Sequence, residues 1–421
     1  MKTKLLAATV VLTSIVTQTQ AQVITDTVSM NAGYSTQKWY SLQNDEQGVA
    51  QAKDNWDIAF EITGYTASIL ANTQKANFIL YKAPYSISNY ATIDTAGINN
   101  WEHLYNSDTT WAIGAFNKGA NANNGSDLGW GVYDLNTHII TGDSCYVIKL
   151  SNTSYKKIKI ENLAGGIYTF SYADINGANA NTATIDKTTY SGKNFAYYNL
   201  TSNTAMDREP AASTWDLTFT KYTTFIPSPY GVTGVVSNKG VTVAQANDVV
   251  SPATYNNYAA HTPETAINTI GYDFKYFNLS ANAWQLSTDT VYFVKSRQGD
   301  IWKLRFTGFG GSSNGNFIFS KEKLTSVSIN DINNNTVAKL SVYPNPSLGN
   351  QTNVIYSIEQ AANVANITVY NTAGVQLHSS QLSTVAGMYN YQLNTTNYIE
   401  GIYIIKLYVD GKVITQQFIK Q

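Results

Sequence analysis

Apolar and polar residues alternate along most of the chain. In Trp56-Asp57-Ile58-Ala59-Phe60 a period of two puts Trp56, Ile58 and Phe60 on one face of a strand and Asp57 on the other. Trp215-Asp216-Leu217-Thr218-Phe219 carries the same pattern. In Lys157-Ile158-Lys159-Ile160 isoleucines alternate with lysines. This predicts a half-buried strand, with Lys157 and Lys159 on the solvated face of an antiparallel sheet. Segments rich in Gly and Asn, such as residues 118–127 and 308–316, separate these runs and predict turns. The pattern predicts an all-β, antiparallel chain.

The runs also repeat in order. Lys38-Trp39-Tyr40-Ser41-Leu42 returns as Ala196-Tyr197-Tyr198-Asn199-Leu200, and the Trp56 run returns at Trp215. Gly131-Val132-Tyr133-Asp134-Leu135 resembles Lys275-Tyr276-Phe277-Asn278-Leu279, and Tyr146-Val147-Ile148-Lys149 matches Tyr292-Phe293-Val294-Lys295. Lys157-Ile158-Lys159-Ile160 then matches Lys303-Leu304-Arg305-Phe306, and Gly166-Ile167-Tyr168-Thr169-Phe170 matches Gly315-Asn316-Phe317-Ile318-Phe319. Matches in one order predict a duplication: two β-domains at residues 30–180 and 190–324, with Trp56 equivalent to Trp215 and Tyr146 to Tyr292.

Past residue 324 the composition turns polar, which predicts a linker over residues 325–339. A third module, residues 340–421, opens with Val342-Tyr343-Pro344-Asn345-Pro346 and Gly349, where the prolines fix a rigid entrance. Short strands follow with a turn at Asn371-Thr372-Ala373-Gly374. An Asp410-Gly411 hairpin turn then separates the run from Gly401 from the one ending at Lys420. This predicts an immunoglobulin-like β-sandwich.

The other end carries Lys2 and Lys4, an apolar stretch over residues 5–16 and the small-residue site Thr19-Gln20-Ala21. This predicts a signal peptide at residues 1–21, too short to span a bilayer, and a mature chain starting at Gln22. No later stretch reads as a transmembrane segment.

The length of 421 residues calls for several domains. Charged residues make up only 13%, with a formal net charge of −1, so the chain has no electrostatic footprint for nucleic acid. Thirty Tyr and eight Trp fit a β-rich exported protein. The single cysteine, Cys145, aligns with Val291 and reads as a small buried hydrophobe. There is no Gly-x-Ser-x-Gly, and His261-Thr262-Pro263-Glu264-Thr265 lacks the second His of a zinc helix. Gly308-Phe309-Gly310-Gly311 reads as a hairpin turn rather than a phosphate cradle, on the expectation that no helix follows. The chain is expected to be non-enzymatic.

Two resemblances extend this reading. The module with Tyr343, Pro344, Asn345, Pro346, Gly349, Gly374, Gly401 and Lys420 resembles the type A sorting domain of the type IX secretion system. That resemblance implies recognition by the secretion machinery and its sortase. It also implies removal of the domain on release or on attachment to surface lipopolysaccharide, so that the protein is secreted or on the cell surface. The duplicated blocks resemble the HmuY-like family of Bacteroidetes haem-binding proteins, most closely in Trp215-Asp216-Leu217-Thr218-Phe219 and in the second-repeat run ending Lys303-Leu304-Arg305-Phe306.

The HmuY-like resemblance implies a haemophore-like protein that binds haem or another tetrapyrrole. Haem needs axial donors, and the chain has four His. By residue type and place, His103 and His138 are the candidates, in a loop-rich region with Trp101, Trp111 and Trp130. Met206 and His261 of the second repeat are the next pair. His138 aligns with Asn282, which weighs against a shared role. The alternative is a non-catalytic adhesion or polymer- and carbohydrate-binding protein that keeps the scaffold without haem.

Overall fold

A computed structural model describes residues 22–325 and 338–420, apart from residues 344, 348, 359 and 373; of Thr325, Lys339 and Tyr343 it describes the backbone. The expected signal peptide, most of the expected linker and Pro344 lie outside the described residues. The chain is all-β and forms two compact units divided after Thr325.

The first unit begins with β1 (Val23–Ser29), β2 (Thr36–Ser41) and β3 (Asp45–Ala52). There follow β4 (Ile58–Glu61), β5 (Ile69–Ala71), β6 (Ile79–Ser86), β7 (His103–Leu104), β8 (Gly131–Tyr133) and β9 (Ile140–Gly142). Next come β10 (Ser144–Lys149), β11 (Tyr155–Ala164), β12 (Ile167–Asp174), β13 (Asn181–Asp186), β14 (Phe195–Asn199) and β15 (Thr204–Met206). The unit closes with β16 (Leu217–Phe225), β17 (Pro229–Ser237), β18 (Thr242–Ala246), β19 (Lys275–Asn278), β20 (Ala283–Leu286), β21 (Val291–Lys295), β22 (Ile301–Phe309) and β23 (Asn316–Thr325).

The strands build two similar lobes. In the first, the sheet β13-β12-β11-β10-β6-β7 faces the sheet β15-β14-β4-β5. Tyr146, Ile158, Phe170, Phe60 and Tyr198 fill the core between them. In the second, β1-β23-β22-β21-β18 faces β17-β16-β2-β3, with Tyr292, Leu304, Phe319, Phe219 and Tyr40 in the same places. Register agrees between the copies, since Tyr146 pairs with Ile158 and Tyr292 with Leu304.

The sequence repeats and the lobes do not coincide, and the boundaries 30–180 and 190–324 need correction. β2, from the first repeat, pairs with β16 of the second, and β14, from the second repeat, pairs with β4 of the first. β1 likewise pairs with β23 along its length. The first lobe is therefore built from residues 56–206, and the second from residues 23–52 with 215–325. The exchange is possible because Trp39-Tyr40 and Tyr197-Tyr198 offer the same alternation, so either strand completes either lobe.

One polar device recurs at each exchange. Asp57 is fully buried, and its Oδ2 accepts the Leu200 N–H at 2.8 Å. Asp216 accepts the Leu42 N–H at 2.8 Å. The Nδ2 of Asn72 donates to the Trp56 and Lys53 carbonyls, and that of Asn238 to the Trp215 and Ala212 carbonyls. These carboxylates and amides satisfy backbone groups where each strand enters from the other repeat, which a buried crossing requires.

Two details depart from simple alternation. Strand geometry starts at Ile58, not Trp56, and Trp56 packs with Ala59, Leu70, Phe195 and Tyr197 on the face away from Ile58 and Phe60. Lys157 is only 3% exposed. The outer face of its sheet is sheathed by residues 87–101, whose Ile93 and Ile98 pack on Tyr81, Cys145 and Val147, and the Lys157 ammonium donates to the Ala91 carbonyl at 2.7 Å. Lys303 repeats this on the Ala253 carbonyl at 2.9 Å. Cys145 lies within the sheathed cluster, and burial pushes its thiol up to about 11, away from the reactive thiolate.

The second unit is a two-sheet sandwich. β24 (Ala338–Tyr343), β25 (Gln351–Ile358) and β28 (Gly387–Asn394) make one sheet. β26 (Ala365–Asn371), β27 (Gln376–Gln381), β29 (Gly401–Val409) and β30 (Lys412–Lys420) make the other. Val342, Val354 and Leu393 meet Ile367, Ile405 and Phe418 between them. Asp410 and Gly411 both adopt positive φ, 45° and 81°, as the predicted two-residue hairpin turn demands.

Candidate functional site

The expected haem donors sit on separate elements. His103 lies on the edge strand β7, exposed, its ring edge-on to Tyr81 at 4.8 Å. His138 occupies the β8–β9 turn with φ 57°, and its Nδ1 shares a 2.7 Å hydrogen bond with the Tyr133 hydroxyl. Its equivalent Asn282 has φ 48° in the β19–β20 turn. Asn and His both tolerate the left-handed region, so the turn itself accounts for the residue type. Asp134 and Asn278 also match, each accepting the N–H three residues on.

The three tryptophans expected around one pocket are dispersed. Trp130 is in the first core, donating to the Ala67 carbonyl at 3.0 Å, while Trp101 borders the sheathed outer cluster. Trp111 crosses to the second lobe and donates to the Ser237 carbonyl at 2.8 Å. Neither His103 nor His138 lines the two cavities described below. The second expected pair is split between the lobes: His261, in the second, bonds the Tyr255 hydroxyl at 2.7 Å and stacks on Phe293, while Met206, in the first, packs beside Trp56. Among the described residues, no three His, Cys, Asp or Glu side chains gather as a metal-binding group.

The seam between the lobes holds a buried Arg–Glu pair of neighbours, Arg208 and Glu209. Arg208 is 4% exposed, and its guanidinium lies over Tyr197 at 4.9 Å and over Trp39 and Trp56 at 5.7 Å each. It donates to Gln37 Oε1 and the Ala52 carbonyl, so it ties strands from both repeats. Beside it Glu209 accepts from the Asn194 N–H at 2.8 Å and the Tyr197 hydroxyl at 3.2 Å. Burial outweighs these bonds and pushes its carboxyl up to about 7.

Two cavities open on the seam. One of about 90 Å³ lies among Trp56, Trp111, Tyr197 and Tyr222, room for a few waters. The other, about 370 Å³, is flanked by Lys239 and Arg297.

A group of exposed aromatic residues lies on the β19–β20 hairpin. Tyr276, Phe277 and Trp284 are 55%, 42% and 40% exposed. Ring contacts run from Phe277 to Trp284 at 5.4 Å, on to Phe309 at 5.1 Å and to Tyr34 at 6.2 Å. Trp284 lies against the single helical turn Gly311–Asn314, where a Cβ on Gly311 would stand 2.9 Å from its Nε1. That turn corrects the expectation that no helix follows Gly310, but four residues are too few for an anion site.

Beneath the rings, Lys275 donates to the Thr233 carbonyl at 2.7 Å, and its ammonium lies 4.6 Å from the Phe274 and Phe309 rings and 5.3 Å from Trp284. Burial lowers it to about 7. Sequence reasoning missed it because its aligned residue in the first repeat is Gly131. The usable signal was a lysine inside an otherwise aromatic strand.

In the second unit the proline-flanked Asn345 clips the last strand. Its Nδ2 donates to the Gln417 carbonyl at 3.1 Å, and its Oδ1 accepts the Ile419 N–H at 2.9 Å. Ser347 adds a bond from its N–H to the Ile419 carbonyl at 2.7 Å. Gly374 turns at φ 80° between β26 and β27, the Gly349 carbonyl accepts from Thr395, and Gly401 pairs with Lys420. The expected signature residues among these thus hold the entrance, the turns and the final hairpin of one sandwich.

The fold defines an all-β protein of a duplicated body and a terminal sandwich. Residues 341–421 match the secretion system C-terminal sorting domain family. This places the second unit in the type IX sorting class and supports export to the cell surface or secretion. No curated protein matched the chain.

Proposed function

We propose that residues 22–325 form an exported, non-catalytic module that binds an extracellular carbohydrate polymer through the aromatic face of the β19–β20 hairpin. The observation that carries this is the chain of partly exposed rings that runs from Phe277 and Trp284 on a short hairpin over Lys275 to Phe309 on β22 and Tyr34 before β2. Flat aromatic faces suit the less polar faces of sugar rings, and side chains already held in place lose little entropy on binding. The HmuY-like motifs fall on core strands, so under this reading they supply scaffold and not ligand donors. The sorting domain directs the module through the type IX machinery and is removed by its sortase outside the cell.

Two results are expected. Deleting residues 340–421 leaves the protein in the periplasm, read by cell fractionation; the shortened protein on the surface at normal level would contradict the export route. The mature protein is retained on insoluble cellulose, chitin or xylan, and Trp284→Ala with Phe277→Ala weakens retention about tenfold or more. Equal retention by that variant sinks the hairpin as the binding face. A saturable Soret shift with haem that disappears in His103→Ala with His138→Ala would replace this reading with the tetrapyrrole one.

A further inference from the structure

We propose that Lys303 and Asn256 join in an intramolecular isopeptide bond, a self-made cross-link of the second lobe with Glu322 as the proton carrier. The Lys303 ammonium donates to Asn256 Oδ1 at 2.8 Å and is ion-paired with Glu322 Oε2. These are the three parts that such a bond requires: an amine, a carboxamide to receive it and an acid to move protons between them. Lys303 and Glu322 are both buried. The inference is independent of the hairpin, since it rests on other residues.

The strands set this contact. Lys303 on β22 stands directly opposite Phe293 on β21 and Glu322 on β23. The segment that carries Asn256 covers that face: Tyr255 and Tyr258 pack with Phe293, and the Ala253 carbonyl accepts from the same ammonium. The first lobe shows which part of the arrangement is structural. Its Lys157 also donates to a carbonyl of the covering segment, that of Ala91, but stands opposite Ala173 and lies over the Tyr90 ring. A lysine and a carbonyl are thus enough to pin the cover. The carboxylate and the amide are additions of the second lobe, and they meet on one nitrogen.

The reaction balances without an outside reactant. Glu322 takes one proton from the Lys303 ammonium, and the free amine adds to Asn256 Cγ, one C=O bond of about 1.2 Å beyond the oxygen it already touches. The carboxyl gives that proton to Nδ2 and takes a second from the attacking nitrogen. The Cγ–Nδ2 bond breaks, and ammonia leaves, carrying the second proton away as ammonium. Asn256 is exposed, which gives the ammonia a way out. Amine and amide already held in contact turn a slow bimolecular reaction into a unimolecular one. The single cysteine rules out an intramolecular disulfide, and this bond constrains the unfolded chain in the same way.

The test is tryptic peptide mapping of the mature protein by mass spectrometry. A branched peptide joining residues 240–275 to residues 298–305 should appear, uncut after Lys303 and lighter than the sum of its parts by one ammonia. Intact mass alone does not decide, because an N-terminal Gln22 loses ammonia on cyclising. Asn256→Ala, an exposed change, should remove the branched peptide and restore cleavage after Lys303. Glu322→Gln, with folding checked by circular dichroism, should leave the two segments unjoined. Only separate peptides in the wild-type digest would overturn the proposal, and that map decides even where the Glu322 variant fails to fold. Branching that survives in Asn256→Ala, or in folded Glu322→Gln, would overturn it as well.

Discussion

A protein lacking residues 22–52 is expected to lose its second lobe and keep its first, although those residues open the first sequence repeat. Without them β16 and β23 lose their neighbours β2 and β1, and the second core loses Val28, Met30, Tyr40 and Leu42, all fully buried. Truncating one such side chain costs roughly 2–5 kcal/mol, and a whole domain has only about 5–15 kcal/mol in hand. Hydrogen exchange read by mass spectrometry should show residues 215–325 unprotected and residues 56–206 still slow. The reverse pattern, or protection kept throughout, would mean that the repeats fold as they are written in the sequence.

Glu209 carries the second large effect. Its folded carboxyl stands near 7 against an ordinary 4.5, so the folded protein holds a proton through that window that the unfolded chain has released. Stability from this group is full below about pH 4.5 and is lost as the pH rises through 7, an amount on the order of 3 kcal/mol. Glu209→Gln keeps an oxygen for the Asn194 N–H and has no charge to bury. Urea unfolding of the body at pH 5 and pH 8 should show wild type losing about 3 kcal/mol more than the variant across that interval. Parallel losses would assign the pH dependence to other groups.

Much of the scaffold was legible in the residues. Alternation located the strands, and the matched blocks found equivalent positions that the cores bear out, such as Tyr146 with Tyr292. The Asp410-Gly411 turn and the Tyr343-Pro344-Asn345-Pro346 entrance marked the sorting domain directly. Partner choice was not legible. A repeat records the order of strands and not which copy each one joins, and Trp39-Tyr40 fits beside either Asp57 or Asp216. Alternation also says that Lys157 and Ile158 face opposite ways, but not that residues 87–101 cover the lysine side.

The site was harder to read for the same reason. His138 looked chemical by residue type, yet its turn conformation accounts for it. Lys275, Arg208 and Glu209 carry no mark of burial in the sequence before the aromatic residues around them are placed. A buried cation held by ring faces and carbonyls leaves no spacing signature, because its partners come from distant strands.

The pairing of β1 with β23 also sets a timetable. Ser29 and Asn314, bonded at 2.9 Å, are 285 residues apart in the chain. The strand made first has no partner until nearly the whole body has been made. At about 5–20 residues per second that wait is roughly 15–60 s, far longer than a hairpin needs to form. Until β16 is made, β2 also lacks its second neighbour, and its free hydrogen-bonding edge, like that of β1, is bare, the condition in which strands pair wrongly or aggregate. A nascent chain of this design depends on being shielded until its last strand arrives.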